Sequence, residues 1–323
     1  MMKRVSKHKS YPLNQSALFK INSPTKLAKI LLVSDMSVLF KLQNKGEENY
    51  YFGTTGSGRD IEVPLSQLRR IHNRINKLLS HISVPDYLNS GVKERSNIKN
   101  AAAHVNAKKL LKIDITKYYQ SITEEQVRKC FRKTFQCSPD VSSLLASLCC
   151  VRGHLPTGST ISQSLSFAVN RPVFDSINIY SNSKGVKFTC YVDDLTFSGD
   201  DIPPSEFCDY IVGYIKKSRG YKCHKIRRYN SETDKPVTGV IISNGHLKVM
   251  NRHVKVINSL YKSMNKMTAR FSSTDKELIH YFQVLQGHLF SAGQINPRYK
   301  RLGWHVVDIR KELSVPALNQ NTM

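Results

Sequence analysis

Acidic residues are scarce in this chain. Asp and Glu number 24 against 49 Lys and Arg in 323 residues, which gives a formal net charge of +25. Because so much charge of one sign repels itself in the folded state, it predicts a polyanionic partner such as a nucleic acid. Composition alone leaves a merely basic, ribosomal-type protein open as the alternative. Residues 1–29 contain seven Lys and Arg and no acid, and are either a nucleic-acid-facing arm or a solvated tail.

Long apolar runs and paired cysteines are missing too. No run is long enough for a signal peptide or a membrane span, so we expect a cytoplasmic protein without a membrane partner. The seven cysteines form no CxxC motif and no zinc-type Cys/His spacing. Such an odd, scattered set is typical of reduced thiols in the cytosol. Hydrophobic residues make up 40% of the chain, enough for a substantial core in one large domain or a few subdomains.

Turn and helix signals alternate along the chain. Residues 49–63 are predicted to form a hairpin, and Asn244-Gly245 between two apolar runs predicts another. Thr123 and Gln126 have the spacing of a capping box that opens a helix. The pattern after residue 249 is mostly helical. Strands alternating with helices, without an internal repeat, predict an α+β architecture built on an antiparallel sheet.

Two acidic side chains stand together in Tyr191-Val192-Asp193-Asp194, between two strand-like runs. Taken alone, these four residues are also compatible with an ordinary polar turn. Asp114 ends another predicted strand, where an unpaired carboxylate is expensive to bury. If that strand lies beside the hairpin, Asp114 and Asp193 converge as primary ligands of a hard divalent cation, and Asp194 is secondary because adjacent strand residues point to opposite faces. Two cations held in this way would activate a 3′-hydroxyl and stabilise a leaving pyrophosphate.

Three segments occur in the order and approximate spacing of reverse transcriptase motifs A, B and C. They are Asp114-Ile115-Thr116-Lys117-Tyr118-Tyr119, Leu155-Pro156-Thr157-Gly158 and Tyr191-Val192-Asp193-Asp194. Asn100-Ala101-Ala102-Ala103-His104 resembles the Asn-Ala-x-x-His signature of retron reverse transcriptases, and Val237-Thr238-Gly239 resembles their Val-Thr-Gly signature. From about Arg59 to Ile242, and more loosely beyond, the chain is therefore similar to retron-type bacterial reverse transcriptases.

This resemblance implies a right-hand polymerase fold of fingers, palm and helical thumb. It divides the chain into an N-terminal basic segment (1–48), fingers (49–109), a palm (110–242, with a fingers insertion near 123–155) and a basic thumb (243–323). The implied enzyme copies part of its cognate structured non-coding RNA into msDNA, a branched RNA–DNA hybrid, starting from a guanosine 2′-hydroxyl. Two Mg²⁺ ions, dNTPs and an accessory effector protein in anti-phage defence are implied as cofactor, substrates and partner.

The resemblance also carries roles onto single residues. Tyr119 matches the steric gate that favours dNTPs, and Arg59 matches the fingers arginine that contacts the incoming triphosphate. Thr157 and Gly158 match the motif B turn beside the nucleotide, although Thr157 replaces the usual Gln. The implied metal ligands are Asp114, Asp193, Asp194 and the backbone carbonyl of Ile115.

Motif D departs from the family pattern. His224 and Arg227 stand where Asn and Lys are usual. Because a guanidinium gives up a proton far less readily than an ammonium, Arg227 is a poor general acid. Lys225 and His224 are both left open as its substitute.

RNA recognition is assigned to two groups of residues. Asn100 and His104 would share one face of a helix and help to recognise the cognate RNA. The cations expected to contact nucleic-acid phosphates are Lys248, Arg252, Lys255, Lys262 and Lys266.

Two other functions are alternatives. A group II intron type of reverse transcriptase usually carries an extra maturation or endonuclease domain, for which 323 residues leave little room. A basic RNA-binding scaffold with a vestigial polymerase site is the second alternative, and the intact Asp114, Asp193 and Asp194 argue against it.

Overall fold

The computed structural model describes residues 10–56, 58–202 and 205–314. The helices are α1 (Pro24–Leu31), α2 (Met36–Lys45), α3 (Ser66–Leu79), α4 (Asn97–Ala102), α5 (Tyr118–Ser121), α6 (Glu124–Lys129), α7 (Pro139–Cys149), α8 (Ser162–Ser183), α9 (Glu206–Arg219), α10 (Asn251–Arg270), α11 (Lys276–Gly293) and α12 (Pro297–Ser314). The strands are β1 (Tyr50–Thr54), β2 (Asp60–Pro64), β3 (Lys109–Ile115), β4 (Lys187–Tyr191), β5 (Asp194–Gly199), β6 (Cys223–Tyr229), β7 (Lys235–Val237), β8 (Val240–Ser243) and β9 (His246–Val249).

The chain divides into two compact units, each with its own apolar core. Unit 1 comprises the residues up to Ser96 together with Lys108–Arg228. Unit 2 comprises Asn97–Ala107 together with the chain from Tyr229 onward. The short helix α4 belongs to unit 2 because it packs against β7 and β8. This division differs from the four segments expected from the sequence, whose boundaries stay a prediction.

Unit 1 is built on a four-stranded sheet in the order β4-β5-β3-β6. The β4–β5 and β5–β3 pairs are antiparallel. The apolar residues of the sheet and the helix α8, which packs against β4, belong to one core. Lys112 and Asp114 of β3 are only half-buried. Thr196 and Ser198 of β5 lie on the same face as Lys112 and Asp114 and are buried, so this second face is polar but largely covered. The predicted α+β class with an antiparallel sheet is confirmed.

The local signals of unit 1 are confirmed as well. The hairpin expected at residues 49–63 is the antiparallel pair β1–β2, although its register extends to Pro64. Thr123 and Gln126 form a capping box in which each side chain accepts from the other's backbone amide. This box starts α6 at Glu124, as the spacing predicts.

Unit 2 contains a small antiparallel sheet, β7-β8-β9, and the long helices α10, α11 and α12. Asn244 and Gly245 join β8 to β9 with φ values of +49° and +72°. Such a two-residue turn suits the twist of the strands and favours Asn-Gly, so the predicted hairpin is confirmed. Among the described residues, no helix has the length and apolar character needed to span a membrane.

Candidate active site

A two-residue turn, Val192-Asp193, joins β4 to β5. Val192 has φ +61°, a left-handed conformation that is a genuine outlier for a β-branched residue. Two hydrogen bonds hold the turn in place. The Val192 amide donates to Ser90 Oγ at 3.0 Å, and the Ile115 amide donates to the Asp193 carbonyl at 3.1 Å. The turn is thus anchored on both sides, and Ser90 is a supporting residue that the sequence did not single out.

Asp114 of β3 lies directly opposite Asp194 of β5 in the antiparallel register. Residues paired in this way project from the same face of a sheet, where two like charges destabilise the pair. Lys112, two residues before Asp114 and therefore on the same face, places its Nζ 2.7 Å from Asp194 Oδ2. The expected reason for ranking Asp194 second was wrong, because Asp193 lies in the turn and strand alternation does not apply. The ion pair with Lys112 gives another reason to rank Asp194 below Asp193 as a metal ligand, because it occupies one carboxylate oxygen of Asp194.

Asp193 carries the most perturbed carboxylate of the site. Burial, and next the charge of Asp114, raise the pKa of Asp193 to about 6. Asp193 makes no ion pair within 4.0 Å to the side chains that the structure describes. A half-buried carboxylate that faces a second one is destabilised in its charged form, and the more distant charge of Lys225 offsets this only in part. A shared cation would relieve both the desolvation and the repulsion.

Asp114 and Asp193 fit a divalent metal in the chemistry of their donors, because carboxylate oxygens are the ligands that hard cations such as Mg²⁺ take. In the described part of the chain, no three or more His, Cys, Asp and Glu side chains are gathered as a ready metal site. The arrangement therefore offers two carboxylates, while Asp194 is engaged by Lys112. The role of the Ile115 carbonyl as a further ligand stays a prediction.

Two motif D residues approach Asp114. His224 Nδ1 lies 3.3 Å from Asp114 Oδ1 and 3.0 Å from Thr116 Oγ1, and Lys225 Nζ lies 4.0 Å from Asp114 Oδ2. Lys225 has φ +50°, which makes this segment another local departure from regular strand geometry. The structure thus brings both substitutes for the motif D lysine to the site, and the choice between them remains open.

Tyr118 and Tyr119 face different surroundings. Tyr118 is buried, its hydroxyl donates to the Ser166 carbonyl at 3.4 Å, and it accepts from Asn170 Nδ2 at 3.2 Å. Tyr119 is half-buried, and burial followed by the charge of Asp193 raises its pKa to about 12. Of the two rings, Tyr119 is therefore the one beside the carboxylates, as a steric gate requires. That role stays a prediction.

The motif B turn is docked on β2. The Gly158 amide donates to the Glu62 carbonyl at 3.1 Å, and the Thr157 amide donates to Glu62 Oε2 at 3.2 Å. A Cβ atom on Gly158 would lie 2.9 Å from the Glu62 carbonyl oxygen, so only glycine allows this approach. Glu62 is 5% exposed, and His154 Nε2 lies 3.5 Å from its Oε1. Glu62 is a further supporting residue that sequence reasoning missed, since nothing local marks a strand Glu as buried.

Arg59 lies in the loop of the β1–β2 hairpin, and its side chain is exposed. Its amide donates to Thr55 Oγ1 at 3.1 Å, and its carbonyl accepts from the Thr55 amide at 2.8 Å. The loop backbone is thus held while the guanidinium extends into solvent. The same hairpin carries Glu62, which binds the motif B turn. Arg59 is therefore linked to that turn through the hairpin. Its contact with a triphosphate stays a prediction.

The cations predicted to contact phosphates are all exposed in unit 2. Four of them lie on α10 at spacings of three, seven and four residues, which places them along one face of the helix over about 21 Å. The buried residues Ile257 and Met264 occupy the opposite face. We call the four cations the α10 stripe: Arg252, Lys255, Lys262 and Lys266. The fifth cation, Lys248, donates from Nζ to Ser243 Oγ at 2.8 Å.

Asn100 and His104 are not at the surface. Their side chains are 0% and 1% exposed, so this conformation does not support the expected direct contact with RNA. Asn100 Nδ2 instead donates to Thr238 Oγ1 at 3.4 Å, and Thr238 Oγ1 donates to the Asn97 carbonyl at 2.9 Å. The two signature segments therefore bind each other. A role of Asn100 and His104 in RNA recognition stays a prediction.

Comparison with known proteins gives sequence relatives and distant structural neighbours. No protein-family model matches the chain. Retron Se72 reverse transcriptase of Salmonella heidelberg is 33% identical over 158 residues, which cover 48% of this chain and 41% of that protein. Retron Ec86 reverse transcriptase of Escherichia coli is 25% identical over 208 residues, which cover 64% and 62%. The chain thus spans about two fifths of the length of the Se72 enzyme and about three fifths of the length of the Ec86 enzyme.

Among solved structures, a foamy viral protease-reverse transcriptase in complex with double-stranded DNA matches with a TM-score of 0.48 and 15% identity, covering 95% of this chain and 46% of that one. A score this low carries no functional argument. The expected α+β class with an antiparallel sheet is confirmed, and the expected right-hand polymerase fold agrees with the sequence relatives, which are reverse transcriptases.

Proposed function

This chain is a relative of the retron reverse transcriptases, and from that premise we propose that it is itself an RNA-directed DNA polymerase. One observation carries the proposal. The register of β3 and β5 pairs Asp114 with Asp194, and the turn between β4 and β5 brings Asp193 close enough for the charges of both to raise its pKa. Carboxylates that repel one another are costly to keep unless the site uses a cation. A vestigial site would have no reason to retain them.

Asp114 and Asp193 would hold Mg²⁺, which when bound neutralises charge on the attacking hydroxyl and on the leaving pyrophosphate. Lys112 fixes Asp194 beside them. Lys225 or His224, which approach Asp114, would hold a proton near the leaving group. Tyr119 would exclude a ribose 2′-hydroxyl. Arg59 would bind the triphosphate of the incoming dNTP, because a guanidinium matches phosphate oxygens in pairs.

Substitution of Asp193 tests the activity. Asp193→Asn keeps the shape of the side chain and removes the charge, so Mg²⁺-dependent dNTP incorporation on a primed RNA template should fall by more than about a hundredfold. Binding of RNA, measured by fluorescence anisotropy, should stay within about twofold, because phosphate contacts are assigned elsewhere. The matched control is Asp201→Asn, whose carboxylate is 85% exposed and pairs with Lys109. Unchanged incorporation by Asp193→Asn would exclude this active site.

A finer proposal concerns the substrate. The protein would copy a cognate structured non-coding RNA, encoded next to its gene, into msDNA joined to a guanosine 2′-hydroxyl, in the cytoplasm and with an accessory effector protein in anti-phage defence. Similarity to retron enzymes supports it. Incubating the protein with the adjacent structured RNA and dNTPs should give DNA that stays attached to RNA on denaturation and is released by cleavage of a 2′,5′ linkage. DNA that separates on denaturation alone would contradict this priming and favour another class of reverse transcriptase.

A further inference from the structure

Helix α12 exposes the only tryptophan of the chain. Trp304 is 55% exposed, although an indole is among the side chains that gain most from burial. Phe290 of α11 meets it edge to face, with ring centroids 5.2 Å apart and an interplanar angle of 74°. In such a T-shaped pair the edge of one ring points at the face of the other. Whichever ring supplies the edge, Phe290 leaves at least one face of the indole uncovered.

The support beneath Trp304 is tightly packed. Gly303 lies against Phe290, where an added Cβ atom would be 3.0 Å from the ring. Gly293 at the end of α11 lies against the backbone of Lys300, where an added Cβ atom would be 2.9 Å away. Two glycines thus allow α11 and α12 to approach closely beside the aromatic pair. An exposed ring on such a support loses little conformational entropy when a flat ligand stacks on it.

The surroundings of Trp304 are basic. Residues 297–307 of α12 contain three Lys and Arg residues and no Asp or Glu. Lys300 and Arg301 lie four and three residues before Trp304, which places both cations one turn away on neighbouring positions of the helix surface. Both are exposed. Asp308, on the next turn, is paired with Lys311 at 3.5 Å. A flat aromatic face beside exposed cations suits a ligand that has a planar ring and a phosphate.

We propose that Trp304 is a stacking site for an unpaired nucleobase, with Lys300 and Arg301 contacting the phosphates on either side of it. The inference rests on the proposed function, since it assumes a nucleic-acid partner, and it adds recognition of a single-stranded segment to it. Stacking on an aromatic side chain tolerates every base, because each base has a π face. Duplex nucleic acid offers no free base face along its length. The site therefore distinguishes loops and single strands from stems, which phosphate contacts alone cannot do.

The full-length protein reports on this site directly, because Trp304 is its only tryptophan. Oligouridylate should quench the emission of Trp304 on binding. A blunt RNA duplex of equal length and heparin should leave the emission unchanged when bound to the same occupancy. Oligothymidylate, titrated in parallel, distinguishes an RNA loop from the DNA product as the source of the base. Equal quenching by heparin and duplex, or none by either single strand, would overturn the stacking site.

Substitutions give a second, independent test. Trp304→Ala should weaken binding of the single strand about fivefold or more, and Trp304→Phe should recover part of the loss because it keeps a π face. The matched control is Leu313→Ala, which removes an exposed apolar side chain, 39% accessible, about half a turn round the same helix. If Trp304→Ala binds oligouridylate as tightly as the wild type, the site does not exist.

Primer extension by the wild-type protein on oligothymidylate-primed polyadenylate keeps this inference separate from the proposed function. If the protein extends the primer while single strands leave Trp304 emission unchanged, the polymerase function is supported and the stacking site is excluded. If single strands quench the emission but the protein incorporates no dNTP, the stacking site is supported and the proposed polymerase activity is excluded.

Discussion

The ion pair between Lys112 and Asp194 gives the sharpest test of how this site is held together. Its Nζ–Oδ2 distance is 2.7 Å, and the two side chains are only 19% and 18% exposed. Removing one partner of a buried pair leaves a charge without compensation, which costs about 3–5 kcal/mol. In Lys112→Met the orphan is Asp194, which then faces Asp114 across the strands without screening. We therefore expect this variant to lose about 3–5 kcal/mol of the free energy of unfolding of unit 1.

Calorimetry in EDTA measures this loss without a bound cation. At about 2–4 °C per kcal/mol for a unit of this size, the unit 1 transition of Lys112→Met should fall by roughly 10 °C at pH 7. Lys112→Met combined with Asp194→Asn should recover most of the loss, because no unpaired charge then remains at the pair. The control is Lys109→Met on the same strand, whose partner Asp201 is 85% exposed; because solvent screens this pair, the control should leave the Tm close to that of the wild type.

The pH dependence supplies a further signature. Burial already raises the pKa of Asp194 against the attraction of Lys112. Without Lys112 that pKa rises further, so the folded variant binds a proton more readily than its unfolded chain. Lys112→Met therefore gains stability relative to the wild type as the pH falls toward 3.8, the ordinary pKa of an aspartate. The difference in Tm between the two proteins becomes smaller over the same range. A wild-type Tm for Lys112→Met at pH 7, or a double variant no more stable than the single one, would refute the reasoning.

Three other predictions concern the nucleotide site and the basic helix. Tyr119→Ala should incorporate ribonucleotides at least about tenfold better relative to dNTPs, because the ring beside Asp193 is removed. Tyr119→Phe keeps the ring and should keep the selectivity for dNTPs. Wild-type selectivity in Tyr119→Ala would contradict the steric gate. Gly158→Ala should lower the Tm and the polymerase rate, because its methyl would lie 2.9 Å from a β2 carbonyl oxygen, whereas Gly213→Ala, with nothing within 4 Å, should do neither. Replacing Lys255 and Lys262 of the α10 stripe with Gln should reduce the slope of log binding constant against log salt by about 1.8 for duplex DNA; an unchanged slope would remove the stripe from the phosphate contacts.

Local patterns predicted much of the architecture because their causes are local. The capping box at Thr123, the turn at Asn244-Gly245 and the β1–β2 hairpin each depend on residues within a few positions of one another, and each is present in the structure. The order of motifs A, B and C likewise indicated which carboxylates belong together. The sequence did not show which partners hold them, since Lys112 and Ser90 reach the site only through strand register and a loop crossing.

The sequence by itself determined the fold class and the basic charge, and it predicted Asp114, Asp193 and Asp194 as the carboxylates of the site. Hydrophobic periodicity, turn chemistry and charge are properties of neighbouring residues and can be read in order. Only the tertiary structure decided that Asp194 pairs with Lys112, that the Gly158 turn docks on β2, and that Asn100 and His104 are buried. Burial and long-range pairing depend on which distant segments meet, and no local pattern along the chain contains that information.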